Sequence, residues 1–198
     1  MEFWGKDSAE FWGYFYTSIG FIPSGILWGA VGIFGIVFFI SVARNGIKRG
    51  LESSMVLLLI GYIGLLLSST IFFRPPMQDR SYVFLPFWSY VAIKGGKGYL
   101  LAENLLNVLL FAPLGVLLDL SFPKLSWWHV LMIGISLSIG IEISQFIFMK
   151  GFAEVDDVIH NTAGCMLGYC IYKMLIVFVK VVKKRCLYRQ VPISRFKL

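Results

Sequence analysis

The sequence predicts an all-α fold, a polytopic membrane bundle of about five transmembrane helices preceded by an N-terminal interfacial segment. Three observations carry that prediction. Of the 198 residues, 58% are hydrophobic and only 15% charged, where soluble domains hold about 45–50% apolar and about 25% charged residues. The mean hydropathy is +0.76. The apolar residues also cluster into runs near the roughly 20 residues that cross a bilayer. Together these exclude a large soluble domain.

The elements follow in order. Residues 1–24 hold Trp4, Trp12, Tyr14 and Tyr16 among apolar neighbours, a composition suited to lying in the interface. Glu2, Asp7 and Glu10 argue against a further span there. The expected spans are Gly25–Ala43, Ser53–Phe73, Leu105–Phe122, Trp127–Met149 and Val158–Val179. Pro113 should kink the third, which neighbouring helices can accommodate. The bundle thus fills residues 25–179, and residues 180–198 form a basic tail.

That tail sets the orientation. Lys180, Lys183, Lys184, Arg185, Arg189, Arg195 and Lys197 lie on the same side as Arg44, Lys48, Arg49 and Lys124. They outweigh Lys6, Arg74, Arg80, Lys94, Lys97 and Lys150 on the other side. Cytoplasmic segments carry the excess of lysine and arginine, so the C-terminus is expected in the cytoplasm and the N-terminus outside. The net charge of +7 is read the same way, as a basic cytoplasmic face and not as a nucleic-acid footprint. Cys165, Cys170 and Cys186 form neither a disulfide framework nor a metal-ligand spacing.

This topology gathers polar residues on the outer face. Glu142 sits inside the fourth span, where a charge costs about 2.5–3.5 kcal/mol on insertion scales. Helical spacing aligns Gly134, Ser138, Glu142, Gln145 and Met149 on one stripe, a polar notch opening outward. A structural glutamate locking helix packing is the alternative. Asp156 and Asp157 open the fifth span; one is well explained as an N-terminal cap, two less well. Asp157, Asn161, Gly164 and Gly168 share a stripe, and the glycine pair should let a neighbour approach closely. The fourth span is the expected neighbour, which would place Glu142 and Asp157 in one cavity.

His160 lies one turn after Asp156, so proton transfer or divalent-metal binding enters consideration; a packing histidine is the plainer reading. Asn161 suits an interhelical hydrogen bond. Arg74 and Arg80 flank the sequence PPMQD beyond the second span. Arginine matches phosphate or carboxylate bidentately, so these two either clamp the acids or grip an anionic headgroup. Asn104 can cap the third span, and Asn107 can enter the notch. No P-loop, HExxH, GxSxG or dinucleotide fingerprint is present. FIPSG, at Phe21–Gly25, is one fragment of the lipid-phosphate phosphatase pattern, but its histidine and basic motifs do not follow.

Five pieces carry a resemblance. They are Arg74 after an apolar run, YVFLPFWSY at Tyr82–Tyr90, NLLNVLLFAPLGVLL at Asn104–Leu118, SIGIEISQ at Ser138–Gln145 and EVDDVIHNTAGCMLG at Glu154–Gly168. The chain resembles the VanZ-like family of bacterial membrane proteins over roughly Ile60–Tyr172. It departs from that pattern at Phe84, where the family commonly has Asn, and at Glu154, where Asp after an upstream Arg is common; Lys150 stands in for that Arg. The resemblance implies an envelope protein, the founding member being associated with low-level teicoplanin resistance.

The expectation is therefore an outward-facing pocket for an anionic, lipid-linked or peptidoglycan-related ligand. Glu142, Asp156 and Asp157 would be its acid/base or metal-binding groups, and Arg74 and Arg80 its anion clamp. Asn107, Gln145, His160 and Asn161 would orient them. Membrane lipid is the expected partner; no cofactor is evident, with a divalent ion the one candidate. The rivals are an intramembrane enzyme acting on lipid carriers, a non-catalytic scaffold with a buried salt-bridge network, and a transporter. Against the transporter, no internal repeat is visible.

Overall fold

The structure is a computed structural model and describes residues 24–189. The expected interfacial segment and the end of the basic tail lie outside the described residues. Helix α1 runs Ser24–Leu67 and is 44 residues long, about 66 Å at 1.5 Å per residue. That is twice a bilayer core of about 30 Å, so α1 cannot be one straight span. It breaks at Gly46, whose φ of 77° and ψ of 165° are non-helical and suit a residue without Cβ.

The chain then tightens into a π-helical turn, Ser68–Phe72. Strand β1 is Ser81–Val83, helix α2 Trp88–Lys94, helix α3 Tyr99–Ser121 and helix α4 Trp127–Phe148. Strand β2 is Phe152–Glu154, and helix α5 runs Val155–Arg189.

Four segments among the described residues are long and apolar enough to cross a membrane: Ser53–Phe72, Tyr99–Ser121, Trp127–Phe148 and Val155–Lys184. They match the second to fifth expected spans, the third and fifth beginning earlier than expected. The stretch expected as a first span forms the N-terminal arm of α1, and most of its side chains lie outside those described. Many large apolar side chains face outward, among them Leu101, Leu105, Ile143, Ile147, Leu175 and Phe178. That is the surface lipid requires.

The buried core joins Leu59, Leu66 and Ile71 to Phe111, Leu114, Leu118, Val130, Ile141 and Cys165. Hydrocarbon is as apolar as leucine, so close packing and internal hydrogen bonds must hold such helices together. The α3–α5 seam shows both. Gly164 and Gly168 lie against the backbone of Val108 and Ala112, and Gly115 lies against the backbone of Cys165 and Tyr169. A Cβ at any of the three would fall within 2.2 Å of a carbonyl oxygen. The glycine pair therefore does mediate close approach, but to the third span and not the fourth. The fourth meets α5 through Gly134, which faces Cys165 and Thr162. Between α1 and α3, the Tyr62 hydroxyl donates to the Leu110 carbonyl at 2.5 Å, in the turn before Pro113.

The segment between α1 and α3 is stapled to the α4–α5 connection. Strands β1 and β2 pair in parallel, Ser81 with Phe152, Tyr82 with Ala153 and Val83 with Glu154. The Met77 amide donates to the Met149 carbonyl at 2.6 Å. Met149 itself turns left-handed at φ 54° and ends α4.

Candidate functional site

One end of the bundle encloses a cavity of about 610 Å³, within the roughly 300–1,000 Å³ usual for ligand sites. Its polar lining comes from the loop after α1 (Arg74), the first turns of α3 (Glu103, Asn104, Asn107) and the last turns of α4 (Glu142, Gln145). It continues through the α4–α5 connection (Lys150, Glu154) to the first turns of α5 (Asp157, Asn161). Alternating helix direction explains this: the C-terminal ends of α1 and α4 meet the N-terminal ends of α3 and α5.

Each polar side chain has a local reason for its place. Glu142 is 7% exposed, and its Oε2 accepts the Glu154 amide at 2.9 Å. Asp157 Oδ1 accepts from Asn107 Nδ2 at 2.7 Å. Gln145 Nε2 donates to the Thr70 carbonyl at 3.2 Å. Thr70 lies in the π-helical turn, which disturbs the regular ladder of α1, a feature frequent at functional sites. Asn161 Nδ2 donates to Ser138 Oγ at 2.9 Å.

Arg74 is held from both ends. Lys150 Nζ donates to its carbonyl at 2.6 Å. Its guanidinium lies over Gly151, where a Cβ would meet Nη1 at 2.8 Å and the Gln145 amide carbon at 3.4 Å. Among the described residues no carboxylate lies within ion-pair distance of Arg74; the pair that forms is Lys173 with Asp119, at 2.7 Å.

Glu154 stands at the cavity wall outside the spans, its Oε2 accepting from Trp88 Nε1 at 2.9 Å. Burial pushes its carboxyl above the ordinary 4.5, with Glu103 and Asp156 pushing the same way; the Trp88 donor and Arg74 oppose them.

Three expected site residues do not line the cavity. Asp156 is fully buried with both oxygens engaged. Oδ1 accepts the Phe87 amide, and Oδ2 accepts the Ser89 amide at 2.9 Å and the Ser89 hydroxyl at 2.5 Å. Asn104 Nδ2 donates to the same Ser89 hydroxyl at 3.0 Å. Asp156 is thus the clasp that fixes the start of α2 on α3 and α5. His160 belongs beside that clasp, its Nε2 2.9 Å from the Tyr90 hydroxyl. Arg80 is exposed, with its guanidinium carbon 5.8 Å from the centre of the Phe146 ring.

The structure thus brings Arg74, Asn107, Glu142, Gln145, Asp157 and Asn161 together and leaves Asp156, His160 and Arg80 apart. Glu103 was missed, although its i, i+4 spacing to Asn107 puts both on one helical face. Glu154 and Lys150 were missed as lining groups because they sit in a connection without periodicity. Among the described residues no three His, Cys, Asp or Glu side chains are grouped to hold a metal ion.

These features define a helical membrane protein enclosing a polar, carboxylate-rich cavity at one end of its bundle. The family described as VanZ/LLP1 matches residues 55–178, more than half the chain, and the protein belongs to that family. It is 39% identical over 70 residues, 35% of this chain, to Protein VanZ of Enterococcus faecium. The matched stretch is 44% of that relative's length. No solved structure matches the chain.

Proposed function

We propose that this VanZ-like protein works in the bacterial cell envelope and contributes to glycopeptide resistance, teicoplanin above all. In this reading the cavity opens on the outer face of the membrane and receives a lipid-linked or peptidoglycan-related ligand with an anionic group. The observation that carries it is the cavity itself, which groups Arg74 and Lys150 with Glu103, Glu142, Glu154 and Asp157. Polar groups at this density are costly among apolar spans, and among the described residues no Arg74–carboxylate ion pair closes the space. That openness favours a ligand site over a self-satisfied salt-bridge scaffold.

The outer location rests on charge. The cavity lies at the helix ends opposite Lys180, Lys183 and Lys184 of α5, and the basic end is expected in the cytoplasm. Arg74 would hold the anionic group, with Asn107 and Gln145 fixing the neighbouring side chains.

Expression in a teicoplanin-susceptible host tests the reading. The wild-type chain should raise the minimum inhibitory concentration of teicoplanin. Arg74→Gln and Glu142→Gln, at equal membrane abundance, should not. Equal protection by both variants would overturn the role of the cavity.

A further inference from the structure

The charge and hydrogen-bond balance of the cavity says more about its ligand. Four carboxylates, Glu103, Glu142, Glu154 and Asp157, face two cations, Arg74 and Lys150. One of those cations already donates to a backbone carbonyl. The amides add to the imbalance. Gln145 Nε2 donates to a backbone carbonyl that can only accept, which fixes the amide orientation. Its Oε1 is left buried without a partner, as is Oδ1 of Asn161; the two residues are 3% and 4% exposed.

The cavity wall therefore holds twice as many carboxyl groups as cations, with two unpartnered amide oxygens buried behind it. Buried polar groups need partners; of the four acids Glu142 is buried and the other three are half-buried, and a cationic donor among them would partner the excess. An anion alone would satisfy Arg74 and worsen everything else. The matching ligand carries a cationic donor beside its anionic group.

The apolar wall adds a second requirement. Tyr62, Leu106, Leu109 and Leu110 line the same cavity. Leu109 lies ten residues into α3, about 15 Å along the helix at 1.5 Å per residue. It is also 50% exposed. The cavity thus extends from the helix ends along the apolar face of Tyr99–Ser121, a segment long and apolar enough to cross a membrane.

We infer that the cavity holds the headgroup of an aminoalkyl phosphodiester lipid. The phosphate sits at Arg74, the primary ammonium among Glu142, Asp157 and Glu103, and the hydrocarbon chain leaves beside Leu109. The inference rests on the reading of the cavity as a ligand site and names the class of ligand.

The test uses the purified full-length protein in detergent with three probes. These are a short-chain phosphatidylethanolamine, a phosphatidylglycerol with the same acyl chains, and free phosphoethanolamine, each followed by titration calorimetry. The ethanolamine lipid should bind at least about tenfold tighter than the glycerol lipid, a difference of about 1.4 kcal/mol, and tighter than the free headgroup. Glu142→Gln keeps an acceptor for the Glu154 amide, and it should collapse the preference for the ethanolamine lipid over the glycerol lipid. Should that variant fail to fold, the comparison on the wild-type protein decides alone. If the glycerol lipid binds as tightly and Arg74→Gln weakens both lipids, the ammonium site is wrong and the ligand-site reading stands. Free phosphoethanolamine matching the lipid would remove the hydrocarbon requirement and overturn the lipid assignment. Binding of none of the three would overturn the inference and the ligand-site reading together.

Discussion

Gly168→Ala should damage this protein far more than an alanine in a helix usually does. A Cβ at position 168 falls 1.8 Å from the Ala112 carbonyl oxygen and 2.7 Å from its carbon. Both are backbone atoms of α3, so no rotamer change relieves the clash. Ordinary contact begins at 3.4 Å, so the carbonyl must retreat by about 1.6 Å, the difference between those distances. Overpacking of this kind costs about 1–3 kcal/mol when the surroundings can yield. Here yielding also pulls Asn107 from Asp157, a contact of 2.7 Å across the same seam, so about 3 kcal/mol is the expected loss. For a chain of this size that lowers the apparent melting temperature by roughly 6–12 °C. Gly140→Ala is the internal control, because a Cβ there meets nothing within 4 Å. It should be neutral or stabilising by up to about 1 kcal/mol through helix propensity. Thermal unfolding in a mild detergent reads both variants. A Gly168→Ala protein that melts with the wild type, or above it, would refute the close α3–α5 packing.

Two further outcomes follow from the site. Asp156→Ala orphans the amides of Phe87 and Ser89 and the Ser89 hydroxyl; leaving buried groups unpaired costs about 1–3 kcal/mol each. Helix α2 should come loose, and limited proteolysis between β1 and α3 should speed up; an unchanged digestion pattern would show that the clasp is dispensable. Glu154 has its carboxyl raised in the fold by burial first, so the folded state binds the extra proton. Its contribution is complete below the ordinary value of 4.5 and is lost as pH rises through the raised folded value. Glu154→Gln, which still offers Trp88 an acceptor, should flatten that part of the stability–pH curve. An identical slope in wild type and variant argues against a raised carboxyl at position 154.

The spans were legible because apolar runs of bilayer length have few other uses. Glu142 stood out for the opposite reason, as a charge where charge is expensive; Arg74 stood out as an arginine on the expected outer face, and Asp157 as one acid more than a helix cap explains. The sequence could not separate Asp156 from Asp157. Adjacent helical residues point about 100° apart, and only the docked α2 decides that one meets backbone amides while the other meets the cavity. Gly164 and Gly168 announced a close approach without naming the partner, since α3 and α4 both carry small residues. The β1–β2 pair and α2 were invisible: strands of three residues and a helix of seven are too short for periodicity to register. Glu103 could have been found by its spacing to Asn107. Lys150 and Glu154 could not, because their placement depends on the strand pairing.

The most direct measurement is the sidedness of the cavity mouth. Lys150→Cys, in a chain with Cys165, Cys170 and Cys186 replaced, would be treated in intact cells with a membrane-impermeant maleimide. An outward-open cavity predicts labelling without permeabilisation. Labelling only after the membrane is breached would contradict the account, placing the mouth and its carboxylates on the cytoplasmic side.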